Sequence, residues 1–313
     1  MNKLLILSKD AARYSDLINE SVLPQLKTVA FNSLKGIQTA CSEANLVFGD
    51  PALIREVLPY IPNLQWAQST WAGVTPLIQQ ECRKDYLLTG IKDIFGPLMS
   101  EYVICYILMH EKKVLKRYAS QQQHLWDITK PGQLKNKIIG ILGLGSIGIS
   151  IARTAKFFQM RTKGYSRSSL TCEFIDKGYD RNGSILEFVN DLDYLVSILP
   201  DTPATSHLLN KNVFKAMKPQ SLLINVGRGN VLDEDDLIKA INNGEISGAV
   251  LDVFKEEPLP ENHPFWDTPG ILVTSHTAAL SFPEDIAPVF IENYKLFLDA
   301  KPLKYKINFD IGY

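Results

Sequence analysis

The chain has 313 residues, of which 45% are hydrophobic and 21% are charged, and its formal net charge is −1. This composition is typical of a globular protein that can bury two cores of ordinary size. The near-neutral charge, without a run of Lys or Arg, gives no reason to expect a nucleic-acid partner or binding to an anionic membrane surface.

The cysteines and the N-terminus indicate a cytoplasmic protein. A chain of this size does not need disulfides, so scattered cysteines without a C-x-x-C pair are interpreted as reduced thiols. They are Cys41, Cys82, Cys105 and Cys172. The apolar run near the N-terminus is too short for a signal peptide and is followed at once by Lys9 and Asp10. No apolar stretch is long enough to span a membrane.

The first hundred residues alternate between strand-like and helix-like segments, which predicts a parallel sheet flanked by helices. The predicted strands are Lys3–Ser8, Leu26–Phe31, Asn45–Gly49, Leu64–Gln68 and Tyr86–Ile91. The predicted helices are Ala11–Glu20 and Pro51 to about Leu58. A loop that contains Trp71, Ala72 and Gly73 follows the fourth strand.

Gly96-Pro97 interrupts this alternation and is interpreted as the first crossing between two domains. From Met99 to about Gln123 the sequence predicts one long helix that is apolar over much of its surface. Such a helix must be covered by its own domain or by a second subunit, and we favour partial cover by a subunit. The predicted domains are 1–97, completed by a C-terminal helix within about 283–313, and 98–282.

The second domain has its own alternation of strands and helices. Its predicted strands are Lys137–Leu142, Thr162–Tyr165, Tyr194–Leu199, Ser221–Val226, Ile246–Phe254 and Ile271–Ser275. Its predicted helices are Ser146–Gln159, Ser184–Val189, about Lys211–Met217 and one capped by Asp233, with Asp236 three residues on and Gly244 past its end. A last helix, Pro283–Asp299, is expected to return to the first domain.

A glycine-rich turn follows the first strand of the second domain. Gly143, Gly145 and Gly148 fall on the pattern G-x-G-x-x-G, between a buried strand and a helix. In this context the pattern predicts dinucleotide binding, because the exposed N–H groups at the helix start can hold a pyrophosphate. A glycine turn without a ligand is the alternative.

The segment after the next strand bears on the choice of cofactor. In a dinucleotide-binding fold, an acid about 20 residues past the turn selects NAD. Here the residues are Ser166, Arg167 and Ser168, and the first acid afterwards is Glu173. A guanidinium among hydroxyls suits a 2′-phosphate, so we predict NADP. If this segment is only a polar loop, either NADP or NAD can bind.

Three ionisable residues follow strands of the second domain and suggest a site. Arg228 lies between two glycines, Glu257 lies in an acidic loop and His276 ends a strand. An imidazole can donate a proton to a 2-oxo group, a carboxylate can hold the ring, and an arginine can bind a carboxylate. The alternative for Glu257 is a solvated charge, and the alternative for His276 is a structural histidine. The other histidines are interpreted as surface or packing residues, and no metal-ligand cluster is apparent.

These motifs together resemble the D-isomer-specific 2-hydroxyacid dehydrogenases, in particular the glyoxylate/hydroxypyruvate reductase branch. The resemblance rests on Gly143–Gly148, Asn225–Gly229, Leu251–Phe254 with Glu257-Pro258, and His276–Ala278. It implies two α/β domains, which are a Rossmann-type doubly wound parallel sheet for the cofactor and a smaller flavodoxin-like domain for the substrate. It also implies a homodimer built through the cofactor domains.

The resemblance implies a role for each matching residue. Arg228 binds the substrate carboxylate and carbonyl, and His276 is the acid/base paired with Glu257. The backbone N–H groups of Trp71, Ala72 and Gly73 hold the carboxylate. The implied cofactor contacts are Gly143, Gly145, Ser146, Ile147, Gly148, Val226 and Asp252. Ser275 stands where the family usually has proline, and the acid that selects NAD is missing.

The leading hypothesis is an enzyme that transfers a hydride from NADPH to a small 2-oxo acid and gives the D-2-hydroxy acid. One alternative is a non-catalytic dinucleotide sensor on the same fold. Another is a dehydrogenase of the same family that acts on a different small anion, such as formate or phosphite. The set of Arg228, Glu257 and His276 favours an enzyme.

Overall fold

The computed structural model describes residues 1–168 and 171–309. Within them the chain divides into two compact units, one of residues 1–94 with 281–309 and one of Phe95–Leu280. The predicted boundary at residues 97 and 98 lies inside the first turn of a helix that starts at Gly96. The end of the predicted C-terminal region, residues 310–313, lies outside the described residues.

The first unit is a five-stranded parallel sheet with helices. The strands are β1 Asn2–Leu7, β2 Leu26–Phe31, β3 Leu46–Gly49, β4 Trp66–Ser69 and β5 Leu87–Thr89. The helices are α1 Ala11–Glu20, α2 Gln38–Glu43, α3 Pro51–Val57 and, from the C-terminal segment, α10 Pro283–Leu298. The strand order β2-β1-β3-β4-β5 is that of flavodoxin-like domains, as the family resemblance implied.

The core of the first unit includes the C-terminal helix α10. The Phe290 ring stacks on Phe48 and on Trp66, with ring centroids 4.9 Å and 5.1 Å apart. Beyond α10, Ile307 N donates to Leu88 O at 2.8 Å, so the C-terminal segment covers the edge strand β5. The described C-terminal residues therefore pack in the same unit as β1.

The second unit is a seven-stranded parallel sheet. Its strands are β6 Ile138–Leu142, β7 Arg161–Tyr165, β8 Lys177–Tyr179, β9 Tyr194–Ser197, β10 Leu222–Asn225, β11 Gly248–Leu251 and β12 Ile271–Val273. Its helices are α4 Gly96–Glu111, α5 Val114–Gln122, α6 Ser146–Phe157, α7 Ile185–Val189, α8 Lys211–Ala216 and α9 Glu234–Asn242. The order β12-β11-β10-β9-β6-β7-β8 reverses at β6 and β9, as in a Rossmann-type doubly wound sheet.

The long helix predicted from Met99 to Gln123 is instead two helices. α4 ends at Glu111 and α5 begins at Val114. Between them Lys113 has φ +54°, a left-handed conformation that ends α4 and redirects the chain. Two further elements were not predicted, the short helix α2 and the edge strand β8. No helix in the described part of the chain combines the length and the apolar character needed to cross a bilayer.

Candidate active site

The glycine-rich turn joins β6 to α6 as the sequence predicted. Gly143 has φ +103°, where a side chain is strained, and a Cβ on Gly148 would lie 2.1 Å from Gly143 O. These two glycines therefore serve the turn and the close packing of helix on strand. A Cβ on Gly145, in contrast, would meet no atom within 4 Å.

This turn meets the needs of a dinucleotide pyrophosphate. α6 starts at Ser146 without a side-chain cap, so the N–H groups of Ser146, Ile147 and Gly148 are oriented outward at its N-terminus. An uncapped helix start beside an open glycine suits a phosphate. The residues present fit NAD(P), and Gly145, Ser146 and Ile147 would hold its phosphates.

The predicted selectivity segment lies beside this turn. Leu142 pairs with Tyr165 in the sheet, which brings the end of β7 next to the end of β6. Ser166 N donates to Tyr179 O at 3.1 Å, and Ser166 Oγ donates to Ser168 O at 2.6 Å. Arg167 and Ser168 are exposed. Ser169, which closes this polar stretch, lies outside the described residues.

Arg228 lies in a tightly built loop after β10. A Cβ on Gly227 would lie 2.7 Å from Leu199 N, and a Cβ on Gly229 would lie 2.0 Å from Phe254 C. The glycines on both sides of Arg228 are therefore required by close backbone contacts. Arg228 Nη1 donates to Gly227 O at 2.7 Å. Arg228 is half-buried, and its guanidinium has further N–H groups for a ligand.

The buried side chain of Asn225 stabilises this loop, which sequence reasoning missed. Its Nδ2 donates to Arg228 O at 3.1 Å, and its Oδ1 accepts from Gly227 N at 3.4 Å. An amide at the end of an otherwise apolar strand was the available signal. Val226, a predicted cofactor contact, follows Asn225 and is buried.

His276 and Glu257 form the pair that the sequence predicted. The distance from His276 Nδ1 to Glu257 Oε2 is 2.8 Å, and Glu257 Oε1 accepts from Phe254 N at 2.9 Å. With Nδ1 bonded to the carboxylate, Nε2 is the ring nitrogen left for a substrate. His276 has φ +54° and its side chain is 53% exposed. The Glu257 side chain is 36% exposed, and both of its oxygens have hydrogen-bond partners.

Asp252, a predicted cofactor contact, holds the loop that carries His276. Its buried carboxylate accepts from Thr274 Oγ1 at 2.6 Å, from Thr277 N at 2.8 Å and from Ala278 N at 3.0 Å. Its carbonyl accepts from His276 N at 2.8 Å. Sequence reasoning gave Thr274 no role, and its position two residues before the histidine was the only signal.

The loop of Trp71, Ala72 and Gly73 follows β4 in the first unit. Trp71 N donates to Ser69 Oγ at 2.9 Å, so this N–H group already has an acceptor. Within residues 1–168 and 171–309, the N–H groups of Ala72 and Gly73 have no acceptor. Of the three N–H groups predicted to hold a carboxylate, these two are available. The Trp71 side chain is 50% exposed.

Comparison with known proteins identifies the family. Residues 104–278, more than half of the chain, match the profile of the NAD-binding domain of D-isomer-specific 2-hydroxyacid dehydrogenases. The chain belongs to this family. One relative is glyoxylate/hydroxypyruvate reductase A of Photorhabdus laumondii, which is 34% identical to this chain over 251 residues. The match covers 77% of this chain and 79% of that protein.

Solved structures agree with this assignment to the D-2-hydroxyacid dehydrogenases. A family member from Aeromonas salmonicida is 40% identical and superposes with a TM-score of 0.96 over 99% of both chains. An NADPH-dependent glyoxylate/hydroxypyruvate reductase from Sinorhizobium meliloti, in complex with NADP and sulfate, is 25% identical, with a TM-score of 0.87 over 100% of both chains.

Proposed function

We propose that this dehydrogenase reduces a small 2-oxo acid of the glyoxylate or hydroxypyruvate type to the D-2-hydroxy acid. The observation that carries the proposal is the 2.8 Å pair of His276 and Glu257, together with Arg228 in a closely packed loop of the same unit. These groups supply a proton donor, its orienting carboxylate and a binding group for an anionic substrate. The relatives named glyoxylate/hydroxypyruvate reductase support this substrate class.

In the proposed reaction each residue has one task. NADPH, when bound, supplies a hydride to the 2-oxo carbon. His276 Nε2 donates a proton to the carbonyl oxygen, which becomes the hydroxyl of the product. Glu257 keeps the other ring proton on Nδ1 and fixes the plane of the ring. Arg228 provides the guanidinium that binds the substrate carboxylate. Within the first unit, we propose the N–H groups of Ala72 and Gly73 as donors for an anion.

For the cofactor we propose NADPH rather than NADH. Ser166, Arg167 and Ser168 follow β7 without a carboxylate, whereas selection of NAD requires an acid at this place. The Sinorhizobium meliloti relative, which is NADPH-dependent, supports the same choice. The first unit is proposed to serve the substrate and the second unit to serve the cofactor.

The deciding experiment measures loss of nicotinamide absorbance with NADPH and NADH in parallel. Glyoxylate, hydroxypyruvate, pyruvate and a bulkier 2-oxo acid serve as acceptors. We expect turnover with a small acceptor and a higher kcat/KM for NADPH. His276→Ala is the matched variant, which should bind NADPH but lose most of the turnover. Cofactor binding without turnover for any acceptor would contradict the enzyme assignment and favour a dinucleotide sensor.

We further propose that the protein is a cytoplasmic homodimer. The second unit has an apolar groove of about 530 Å³, lined by residues such as Tyr106, Met109, Trp266 and Leu272. After α5 the same unit exposes Trp126 by 93% and Ile128 by 83%. An apolar groove and apolar protruding side chains on one unit suit a two-fold contact with a second copy. The four free cysteines fit a reducing compartment.

Light scattering tests the dimer. The wild-type protein should have twice the 35.1 kDa mass of the chain. Replacing Trp126 and Ile128 with Asp should give the monomer mass, because charges would be buried in the contact. Phe157→Asp is the control, since Phe157 is also 82% exposed but lies on α6. A monomeric wild-type protein would contradict the proposal.

A further inference from the structure

The phenol of Tyr102 begins a chain of hydrogen bonds that ends at Asp252. Tyr102 lies on α4, and its Oη is 2.6 Å from Thr274 Oγ1. Thr274 Oγ1 is in turn 2.6 Å from Asp252 Oδ1. Tyr102 and Thr274 are neither the proposed proton donor nor its carboxylate partner, and both lie outside the glycine-rich turn.

The direction of this chain follows from the chemistry of its members. A carboxylate only accepts, so the single hydroxyl proton of Thr274 is donated to Asp252. Thr274 Oγ1 must therefore accept from Tyr102. Burial raises the pKa of Tyr102, so the phenol keeps its proton at neutral pH and remains a donor.

Asp252 is the point at which this chain reaches the histidine loop. The same carboxylate accepts from the N–H groups of Thr277 and Ala278, on the C-terminal side of His276. The carbonyl of Asp252 accepts from His276 N. His276 has a left-handed backbone conformation, which persists only where surrounding bonds determine it. The orientation of the Asp252 carboxylate thus sets the orientation of the histidine backbone.

We propose that Tyr102 is a positioning residue for His276 and acts through the hydroxyl of Thr274 and the carboxylate of Asp252. The inference rests on the proposed function in one respect, which is that His276 is the proton donor. Without the Tyr102 hydroxyl, Thr274 loses its donor, its rotamer is less restricted, and the Asp252 carboxylate is held less firmly. The proposed effect of Tyr102 is therefore on the geometry of the donor.

The test compares two tyrosines that both make a hydrogen bond with a partner in the second unit. Tyr102→Phe removes the proposed donor. Tyr194→Phe is the matched control, because the buried Tyr194 hydroxyl donates to Glu111, which lies on the same helix α4 as Tyr102. Tyr194 is at the amino end of β9, whereas Asp252 follows the carboxyl end of β11, so the control lies at the opposite edge of the sheet. We expect Tyr102→Phe to lower the single-turnover rate of hydride transfer about tenfold while KM changes less than about twofold. Tyr194→Phe should lower the melting temperature without changing this rate.

The connection through Thr274 is tested by its own variants. Thr274→Val removes the hydroxyl and should lower the rate as much as Tyr102→Phe does. Thr274→Ser restores the hydroxyl and should recover most of the rate. Because the two residues act in series, the double variant Tyr102→Phe with Thr274→Val should be no slower than either single variant. Additive losses would overturn the relay.

Hydrogen exchange decides the inference without reference to activity. Amide exchange in the segment 274–278 should become faster in Tyr102→Phe and remain unchanged in Tyr194→Phe. Unchanged exchange in both variants overturns the positioning role, even if the protein is an active reductase. Faster exchange only in Tyr102→Phe supports the positioning role, even if no 2-oxo acid is turned over. The failure of this inference and the failure of the proposed function are thereby distinguishable.

Discussion

Glu257 is fixed at both carboxylate oxygens, one to His276 Nδ1 and the other to Phe254 N. We predict that Glu257→Gln lowers kcat by about 10–100-fold, because an amide no longer fixes the ring proton on Nδ1. The neighbouring Glu256 is exposed, so Glu256→Gln is the matched control for a lost charge. Steady-state kinetics with NADPH and glyoxylate measures both variants, and equal losses would contradict the pair.

Ser166 offers a second prediction at the residue scale. Ser166→Asp places a carboxylate where NAD-dependent members carry one, and this carboxylate repels a 2′-phosphate. We expect kcat/KM for NADPH to fall by about tenfold or more relative to that for NADH. The control is Arg161→Gln, an exposed charge at the opposite end of the same strand β7. An unchanged ratio would mean that this segment is only a polar loop.

Residue-scale chemistry was predictable from the sequence only in part. Arg228, Glu257 and His276 each follow a strand, and that position predicted that they lie at the same edge of the sheet. The sequence did not reveal that Trp71 N–H is already bonded to Ser69 Oγ or that Asp252 holds three donors of the His276 loop. Such bonds depend on loop conformations, which cannot be predicted from the hydrophobic periodicity of the sequence.

Among the elements, α9 shows how a predicted helix start works. Asp233 accepts from Asp236 N at 3.0 Å, as the sequence predicted. The Asp236 carboxylate does not complete a capping box, since it accepts from Lys211 N at the start of α8. One acidic pair thus stabilises the first turns of two helices. This exchange could not be predicted, because α8 and α9 are far apart in sequence.

The Asp233 cap gives a prediction with a pH dependence. The backbone N–H of Asp236, followed by His207, holds the pKa of Asp233 below its ordinary value. A lowered folded-state pKa stabilises the fold above the unfolded value of about 3.9, and this stabilisation is lost as the pH falls through the folded value. We expect Asp233→Ala to lower the free energy of unfolding at pH 7 by about 1 kcal/mol.

Scanning calorimetry checks this cap. At pH 7 the transition of Asp233→Ala should lie about 2–4 °C below that of the wild type, and the difference should shrink as the pH falls below about 4. Asp233→Asn keeps a capping oxygen and should lose little stability at pH 7. A loss in Asp233→Asn as large as in Asp233→Ala would show that the charge, and not the cap, stabilises the helix.

Elements also show where sequence patterns are uninformative. The buried parallel strands were predictable because they are short apolar runs bounded by turns. The break between α4 and α5 was missed because the residue in the left-handed conformation is Lys113. A Gly or Pro at this place would have signalled the end of a helix. β8 was missed because three residues at a sheet edge carry too little pattern.

At the scale of the whole molecule, helix α10 returns to the first unit, and its packing there contributes to the free energy of unfolding. Phe290 on α10 is fully buried between Phe48 and Trp66. We predict that Phe290→Ala lowers the free energy of unfolding of the first unit by about 3–5 kcal/mol, through lost transfer energy and a cavity. Urea unfolding followed by tryptophan fluorescence measures the change. The exposed Phe157 gives the control Phe157→Ala, which should have little effect.

The loops that carry Trp71 and Arg228 differ in the sequence changes that the fold can accept. Trp71 is half exposed on a loop whose backbone is held by Ser69, so its ring can be exchanged with little effect on folding. Arg228 is flanked by two glycines that leave no room for a Cβ. The fold should therefore tolerate a different side chain at position 71, whereas a side chain at either glycine beside Arg228 would displace the backbone that carries the guanidinium.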